Sequence, residues 1–325
     1  MKMREIGDLK VSEMGMGCMG FSHGYGAVPE ESYSISAIHQ AYNVGCTFFD
    51  TAEGYGRQMF DMGHNERLVG KALEPFRKDV VLATKLHIDT KEPEKDGSLY
   101  HTVKRHLIAS MDKLRTDYID LYYLHRVNPD IPVEDVAECM GRLIKEGLIR
   151  GWGVSQLSAK TMMRAHAVTP LTAVQSIYSM MERNFEKDII PLCEENKIGF
   201  VAFSPIASGY LSGKVNVDTK FEGDDVRKWV PQMKKENIIA NKPLLEIISD
   251  VASRKGATNA QISLAWMLHK YPHVVPIPGS KNKERILENL EACNVSLTEA
   301  EFCDLEMALN QVTVHGQRSE IEELL

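Results

Sequence analysis

An alternation of short apolar segments with helical segments is the feature that most constrains the fold of this chain. The apolar segments have the length of strands and lie at residues 14–21, 47–50, 80–85, 118–125, 149–154, 172–176, 198–203 and 274–277. Because they are apolar on both faces, they are typical of a parallel sheet that is covered by helices. Eight such units without a break in composition predict a single closed (β/α)8 barrel over residues 1–325.

A doubly wound sheet is the alternative fold. It would carry a Gly-x-Gly-x-x-Gly turn after an early strand, and the glycines of residues 14–20 do not have that spacing. Two additions to the barrel are predicted. Residues 3–12 should form an N-terminal hairpin, and the extra C-terminal helices include residues 299–309, where Thr298 and Glu301 make a capping box.

The composition narrows the range of partners. The 325 residues are 43% hydrophobic and carry a formal net charge of −7 with no broad basic stripe, so no nucleic acid partner is expected. The chain has no stretch of signal-peptide character and no run of about 18 apolar residues, so we expect a cytoplasmic protein that does not bind membranes. The six cysteines are scattered without a Cys-x-x-Cys pair, so no metal site is expected. The sequence carries no signal of the oligomeric state.

Two irregular stretches stand out. Residues 207–241, between the seventh strand and its helix, form the longest one. A long loop at this face of a barrel is more often an active-site cover than a linker, so we predict a cover, with a plain surface insertion as the alternative. Residues 91–96 are predicted to be a solvated loop.

Four polar residues stand at or just after the ends of successive predicted strands. Asp50 ends the second strand and Tyr55 follows it, while Lys85 and His125 end the third and fourth. In a barrel these ends share one face, where catalytic residues lie. Each residue alone has an ordinary structural interpretation, such as a turn cap or a hydrogen-bonded core histidine. Their occurrence together favours a catalytic group.

The chemistry of these four residues is specific. A tyrosine has a pKa of about 10, and a nearby ammonium lowers this pKa by favouring the phenolate. We therefore expect Lys85 to supply the ammonium and Asp50 to hold Lys85 and keep it charged. Tyr55 would give its proton to a substrate oxygen, to which a neutral His125 would donate a hydrogen bond. Such a set requires a carbonyl substrate and a hydride donor.

Six segments that span nearly the whole chain occur in a recognisable order. They are Phe-Phe-Asp50-Thr-Ala-Glu-Gly-Tyr55-Gly, Leu-Ala-Thr-Lys85, Asp-Leu-Tyr-Tyr-Leu-His125-Arg, Gly151-Trp-Gly-Val-Ser155, Phe203-Ser-Pro-Ile-Ala-Ser-Gly, and Ile277-Pro-Gly-Ser280-Lys281 followed by Arg285 and Glu288-Asn289. This set resembles the aldo-keto reductase family. The resemblance implies a (β/α)8 barrel that transfers a hydride from NADPH to an aldehyde or ketone. It also implies that Asp50, Tyr55, Lys85 and His125 occupy the catalytic positions, with Tyr55 as proton donor.

The resemblance further implies how NADPH binds. Ser155 and Gln175 match residues that bind the nicotinamide carboxamide. Phe203 matches an aromatic residue on which the ring stacks, although tyrosine is common there, and Gln156 stands where the family usually has asparagine. The other implied cofactor residues are Ser204, Pro205, Ser280, Lys281, Arg285, Glu288 and Asn289.

Position alone supports the phosphate end of this cofactor site. Residues 278–281 follow the eighth strand, where barrels often bind phosphate, and a helix start that favours anions lies nearby. Lys281 and Arg285 add positive charge, and arginine offers a bidentate fork to a phosphate. We expect NADPH to be preferred over NADH.

Position also suggests a wall for the substrate pocket. The candidates follow the first and third strands or lie on the long loop, and they are Met19, Phe21, Tyr25, Leu86, His87 and Trp229. Their apolar and aromatic character suits a hydrophobic aldehyde or ketone. The sequence shows no cluster of arginines that would mark an anionic substrate.

Two other functions remain open on the sequence. Lys85 at a barrel strand end is also placed like the Schiff-base lysine of an aldolase-like lyase, which would have to be neutral. A barrel that holds nucleotide without catalysis and signals its redox state to a partner is the other. Residues 311–325 could form a short amphipathic helix, a flap over the pocket or a tail.

Overall fold

The structure of the protein is a computed structural model that describes residues 1–318. The predictions for residues 311–325 therefore lie, from residue 319 onward, outside the described residues. An antiparallel hairpin of β1 (Met3–Ile6) and β2 (Leu9–Ser12) comes first, as predicted. The strands that follow are β3 (Met16–Gly17), β4 (Phe48–Asp50), β5 (Val81–Leu86), β6 (Ile119–Leu124), β7 (Ile149–Ser155), β8 (Ala173–Ile177), β9 (Gly199–Phe203) and β10 (Val274–Pro276).

These eight strands form one parallel sheet in the order β3 to β10. A parallel bridge between Gly17 and Gly279 joins the two ends of the sheet. A hydrogen bond from the backbone N of Gly15 to the carbonyl O of Pro276 (2.9 Å) reinforces this closure. The predicted (β/α)8 barrel is thus confirmed, and the doubly wound alternative is wrong.

Helices cover the outside of the sheet. They are α1 (Glu31–Asn43), α2 (His64–Leu73), α3 (Glu92–Asp96), α4 (Leu99–Leu114), α5 (Val133–Lys145), α6 (Ala159–Val168), α7 (Ile189–Glu195), α8 (Lys235–Ala240), α9 (Lys242–Lys255), α10 (Asn259–Lys270), α11 (Lys283–Leu290) and α12 (Glu299–Asn310). Ser98 and Ser158 cap α4 and α6 through their side chains, and Thr298 and Glu301 form the predicted capping box. Within residues 1–318, no helix is both long and apolar enough to cross a membrane.

The apolar side chains divide into two packed layers, because successive residues of a strand point to opposite faces of the sheet. One layer lies between the strands and the helices. The other fills the barrel interior with side chains such as Phe48, Leu121 and Val201. Ile6 and Val11 of the hairpin belong to this interior layer, so the hairpin plugs the barrel. The interior is therefore a packed apolar core, and we look for functional polar side chains at the ends of the strands.

Three local predictions need correction. Residues 14–21 are strand only at Met16–Gly17, and a 3-10 turn follows at Met19–Phe21. Residues 91–96 are not simply a solvated loop, because α3 forms there and ends at Gly97, which has a left-handed φ of 81°. Residues 207–241 contain several short helical turns as well as α8, so this stretch is structured along much of its length.

Candidate active site

A cavity of about 320 Å³ lies at the carboxyl ends of the barrel strands. Its wall includes Asp50, Ser155 and Phe203, which are the last residues of β4, β7 and β9. Most residues predicted for catalysis and cofactor binding meet on it. The predicted residues that line it are Met19, Tyr25, Asp50, Tyr55, His125, Ser155, Gln175, Phe203, Ser204, Pro205, Ser280, Lys281, Arg285, Glu288 and Asn289.

Lys85 lies directly behind this wall and is completely buried. Its Nζ donates hydrogen bonds to Asp50 Oδ1, to the carbonyl O of Thr51 (2.8 Å) and to the Tyr55 hydroxyl oxygen (3.3 Å). An ammonium has three N–H donors, so all three are used. Burial acts to lower the pKa of Lys85, but Asp50 and Tyr55 together raise it above its ordinary value. Lys85 is therefore a fixed cation, which is the opposite of what Schiff-base chemistry needs.

Asp50 is held from both sides. Its Oδ1 accepts from Lys85, and its Oδ2 accepts from the side-chain amide of Gln175 (2.8 Å). Gln175 belongs to β8 and lies 125 positions after Asp50 in the sequence. Gln175 therefore orients Asp50 as well as lining the cavity, a role that the sequence did not indicate.

Tyr55 lies in the turn that follows β4. Burial raises the pKa of Tyr55 above its ordinary value, and Lys85 only partly opposes this effect. The sequence led us to expect a lowered pKa, so the net direction is the reverse of that expectation. Because the Tyr55 oxygen accepts from Lys85, its own O–H is left to donate toward the cavity. Tyr55 is therefore a protonated phenol with a directed donor.

His125 follows β6 and meets the edge of the Tyr55 ring, with ring centroids 5.7 Å apart and planes at 81°. Burial lowers the pKa of His125 well below its ordinary value, and Lys85 and Arg126 lower it further. The imidazole is therefore neutral at neutral pH, as expected. A neutral imidazole has one N–H donor, which suits a hydrogen bond to a substrate oxygen.

Arg126 also lines this part of the cavity, and the sequence interpretation missed it. Its Nη1 donates to the carbonyl O of His125 (2.6 Å) and to Ser155 Oγ (3.0 Å). The Ser155 hydroxyl oxygen thus accepts from the protein and keeps its hydrogen for a ligand. Gln156 instead accepts with its Oε1 from the backbone N of Ile177 (2.9 Å). The position of Arg126 directly after His125 was the available signal for it.

The opposite wall is formed by the residues after β9 and β10. Lys281 Nζ donates to the carbonyl O atoms of Tyr25 (2.7 Å) and Ala27 (2.6 Å). These bonds connect the loop before α11 to the loop after β3. The hydroxyl oxygen of Ser280 accepts from the backbone N of Asn282 (3.1 Å), so its hydrogen is available to a ligand. Arg285 is exposed at the first turns of α11.

The turn after β9 has a strained backbone. Ser204, Ala207 and Ser208 have φ values of 50°, 46° and 54°, in the left-handed region that L side chains rarely adopt. All but Ala207 line the cavity, and Ser208 Oγ is buried without a hydrogen-bond partner among the described residues. Such strain and such an unsatisfied hydroxyl are features of ligand sites.

Two of the six residues predicted for the substrate pocket line the cavity. Met19 and Tyr25 line the cavity. Phe21 and Leu86 are buried in the core, and His87 lies outside the wall. Trp229 is 78% exposed and is not among the residues that line the cavity.

Several lining residues had no local signal in the sequence. Lys214 and Arg227 lie within the long stretch predicted as a cover, and Arg318 lies beyond the last helix. With Arg126 and Arg285, four arginines line the cavity within the described residues. The sequence did not indicate that these arginines share one cavity, because the fold brings them to it from distant segments.

Comparisons with known proteins find one family model and several similar structures. The family model described as the aldo/keto reductase family matches residues 13–310. A glycerol dehydrogenase, AKR11B4, from Gluconobacter oxydans has a similar structure, with a TM-score of 0.84, 25% identity and coverage of 96% of each chain. The thermostable aldo-keto reductase Tm1743, solved with the inhibitor epalrestat, gives a TM-score of 0.74 at 28% identity and covers 95% of this chain and 100% of its own. An aldo/keto reductase from Klebsiella pneumoniae, solved with NADP and acetate, gives 0.73 at 26% identity with both chains fully covered (100%).

Proposed function

The chain belongs to the aldo/keto reductase family, and from this premise we propose that it is an NADPH-dependent reductase of aldehydes or ketones in which Tyr55 is the general acid. The observation that carries the proposal is the hydrogen bonding of Lys85. This buried ammonium is saturated by Asp50, Thr51 and Tyr55, so it fixes the phenol and stabilises the phenolate left by proton transfer.

The residues of the wall after β9 and β10, called the second wall below, fit NADPH. A dinucleotide with three phosphates needs hydroxyl donors and cations, and the wall offers Ser208, Ser280, Lys281 and Arg285. The unsatisfied Ser208 hydroxyl is the strongest sign, because a buried polar atom normally has a partner. Ser155 would hold the carboxamide and Phe203 the face of the nicotinamide. We propose that Lys281 and Arg285 give the preference for NADPH over NADH.

The residues at the ends of β4, β5 and β6, called the first wall below, then act on the substrate oxygen. When bound, NADPH supplies a hydride to the carbonyl carbon. Tyr55 gives its proton to the carbonyl oxygen as negative charge develops there, which is worth about 10²–10⁴-fold in rate. His125 donates a hydrogen bond to the same oxygen from a neutral ring. Asp50 keeps Lys85 charged throughout, and Gln175 keeps Asp50 in place.

The test is an absorbance assay of the purified protein with NADPH and an aromatic aldehyde. We expect the reduced nicotinamide to be consumed only when both are present, with one alcohol formed for each NADPH oxidised. NADPH that binds without turnover of any aldehyde or ketone would contradict a reductase and favour a nucleotide-binding module.

The same preparation distinguishes the lyase. Borohydride should trap no substrate adduct on Lys85, because the amine is protonated and fully hydrogen bonded. A trapped adduct at Lys85 would overturn the proposal.

A further inference from the structure

A buried acid, Glu53, lies two residues before Tyr55 and connects its turn to three neighbouring parts of the fold. The Glu53 side chain is only 7% exposed. Its Oε1 accepts from the backbone N of His87 (2.8 Å), just beyond β5. Its backbone N donates to the carbonyl O of Lys85 (3.2 Å), and its carbonyl O accepts from the backbone N of Gly63 (2.8 Å). The position of the Tyr55 turn therefore depends on Glu53.

The second carboxylate oxygen of Glu53 faces a histidine on α4. His106 Nδ1 lies 2.7 Å from Glu53 Oε2, and His106 Nε2 lies 3.3 Å from Glu92 Oε2 on α3. The His106 side chain is 11% exposed, so this contact is shielded from water. Neither Glu53 nor His106 belongs to the group that surrounds the reacting atoms.

The hydrogen-bond geometry bears on the charge of His106. Ionised carboxylates only accept hydrogen bonds, so a ring nitrogen that is bonded to one of them must donate. A neutral imidazole has a single N–H and would turn a lone pair toward one of the two carboxylates. Arg105 Nη2, which can only donate, also lies 3.5 Å from His106 Nε2, so hydrogen bonding alone does not fix the charge of the ring. Two carboxylates on one shielded ring favour the imidazolium, which also compensates the buried charge of Glu53.

Resting on the proposed reductase function, we propose that the His106 imidazolium is a positioning residue that acts through Glu53 to hold Tyr55 in place. Loss of the His106 proton leaves Glu53 as a buried anion without its cation and loosens the turn that carries Tyr55. Turnover then falls as pH rises, in a step that is separate from the titration of Tyr55 itself.

The charges around this pair agree with the direction of the step. Burial acts to lower the pKa of His106, but Glu53 and Glu92 together raise it above its ordinary value. The charged and titratable groups that face His106 or Glu53 are Glu92 and Asp96 on α3, Arg105 on α4, Glu66 on α2 and Tyr122 on β6. Because the pKa of His106 is raised in the folded state, the stabilisation that the imidazolium gives is complete below about pH 6.5, the ordinary pKa of histidine. This stabilisation is lost as pH rises through the folded-state pKa of His106.

His106→Asn is the central variant, since its amide N can donate from near the Nδ1 position but does not titrate. We expect kcat of the wild type to fall in two steps as pH rises, with only the Tyr55 step left in His106→Asn. His106→Leu, which has no donor, should have a low kcat at every pH, reduced by up to about 100-fold, the loss that a 1 Å misplacement causes. The Michaelis constant for NADPH should not change. His101→Asn, an exposed position on the same helix, is the matched control and should match the wild type.

A second measurement does not depend on activity. In protein labelled isotopically at tyrosine Cζ, with Tyr55→Phe used for assignment, the Tyr55 NMR signal of the wild type should shift through the His106 titration. The shift should be absent in His106→Asn. If no carbonyl compound is reduced at any pH while this shift is present, the proposed function fails and the positioning role stands. Superimposable pH profiles and Tyr55 signals for wild type and His106→Asn would overturn the role of His106.

Discussion

The wall formed by the ends of β4, β5 and β6 carries a fully hydrogen-bonded pair, Lys85 and Asp50, whereas the wall formed by the ends of β9 and β10 carries polar groups with unused hydrogen-bonding capacity. On the first wall, Lys85 uses all three of its donors and Asp50 accepts on both oxygens. On the second wall, Ser208 Oγ is buried without a partner among the described residues, and Arg285 is exposed.

This difference indicates a separate role for each wall. Groups that are already bonded and buried need no rearrangement when charge develops, and such preorganisation is a large part of catalysis. Groups with unused donors on a strained backbone gain their partners only when a ligand binds. Changes on the first wall should therefore lower kcat, whereas changes on the second should weaken cofactor binding.

The largest effect is expected for Lys85→Met. The change leaves Asp50 as a buried charge without its cation, which typically costs about 3–5 kcal/mol of unfolding free energy. It also removes the donor that fixes the Tyr55 oxygen, so kcat should fall even at saturating NADPH. Urea denaturation and steady-state kinetics measure the two effects. Lys71→Met, which breaks an exposed ion pair with Glu31, is the control and should change neither. Near-normal kcat in Lys85→Met would remove the contrast between the walls.

A smaller effect, confined to the cofactor, is expected for Lys281→Met and Arg285→Met. Each removes a cation for phosphate, and a lost charge-assisted hydrogen bond corresponds to about 10- to 100-fold in affinity. The Michaelis constant for NADPH should rise by this factor, while kcat and the constant for NADH should hold. Lys283→Met, a neighbouring cation whose side chain lies over Tyr33, is the control. Equal changes with NADPH and NADH would show that these residues do not read the additional phosphate.

The smallest effect comes from a pair of serines on the turn after β9. Ser208 has no partner, whereas Ser212 Oγ donates to the carbonyl O of Gly209 (2.6 Å). Ser208→Ala should therefore leave the stability of the free protein unchanged and weaken NADPH binding by about 10-fold. Ser212→Ala should lower stability instead, by about 1 kcal/mol. Fluorescence titration with NADPH and urea denaturation distinguish the two. A stability loss in Ser208→Ala would mean that its hydroxyl is already satisfied by the protein.

The sequence predicted the barrel and the meeting of the catalytic residues for one physical reason. Parallel strands bring their carboxyl ends to one face, so Asp50, Lys85 and His125 had to be neighbours once the strands were recognised. The covering of the sheet by helices followed in the same way, because the strands are apolar on both faces. An apolar strand segment is a local pattern, so it can be recognised in the sequence before its packing partners are known.

Features that depend on distant contacts could not be read in this way. The bond from Gln175 to Asp50 joins residues 125 positions apart, and Arg227 and Arg318 reach the cavity from irregular segments. Trp229 was expected to cover the site but is 78% exposed, because a long loop has no register to fix which side chains point inward. The direction of the Tyr55 pKa shift depends on burial, which the sequence does not give.

The most direct test of the proposed role of Tyr55 is a single-turnover measurement on Tyr55→Phe. The variant, saturated with NADPH, is mixed rapidly with an aromatic aldehyde and the nicotinamide absorbance is followed. We predict that the rate falls by about 10²–10⁴-fold, because the proton donor is lost, while the Kd for NADPH stays at the wild-type value. Tyr42→Phe, at a position outside the cavity lining, should react like the wild type. A single-turnover rate for Tyr55→Phe equal to that of the wild type would contradict the role of Tyr55 as general acid.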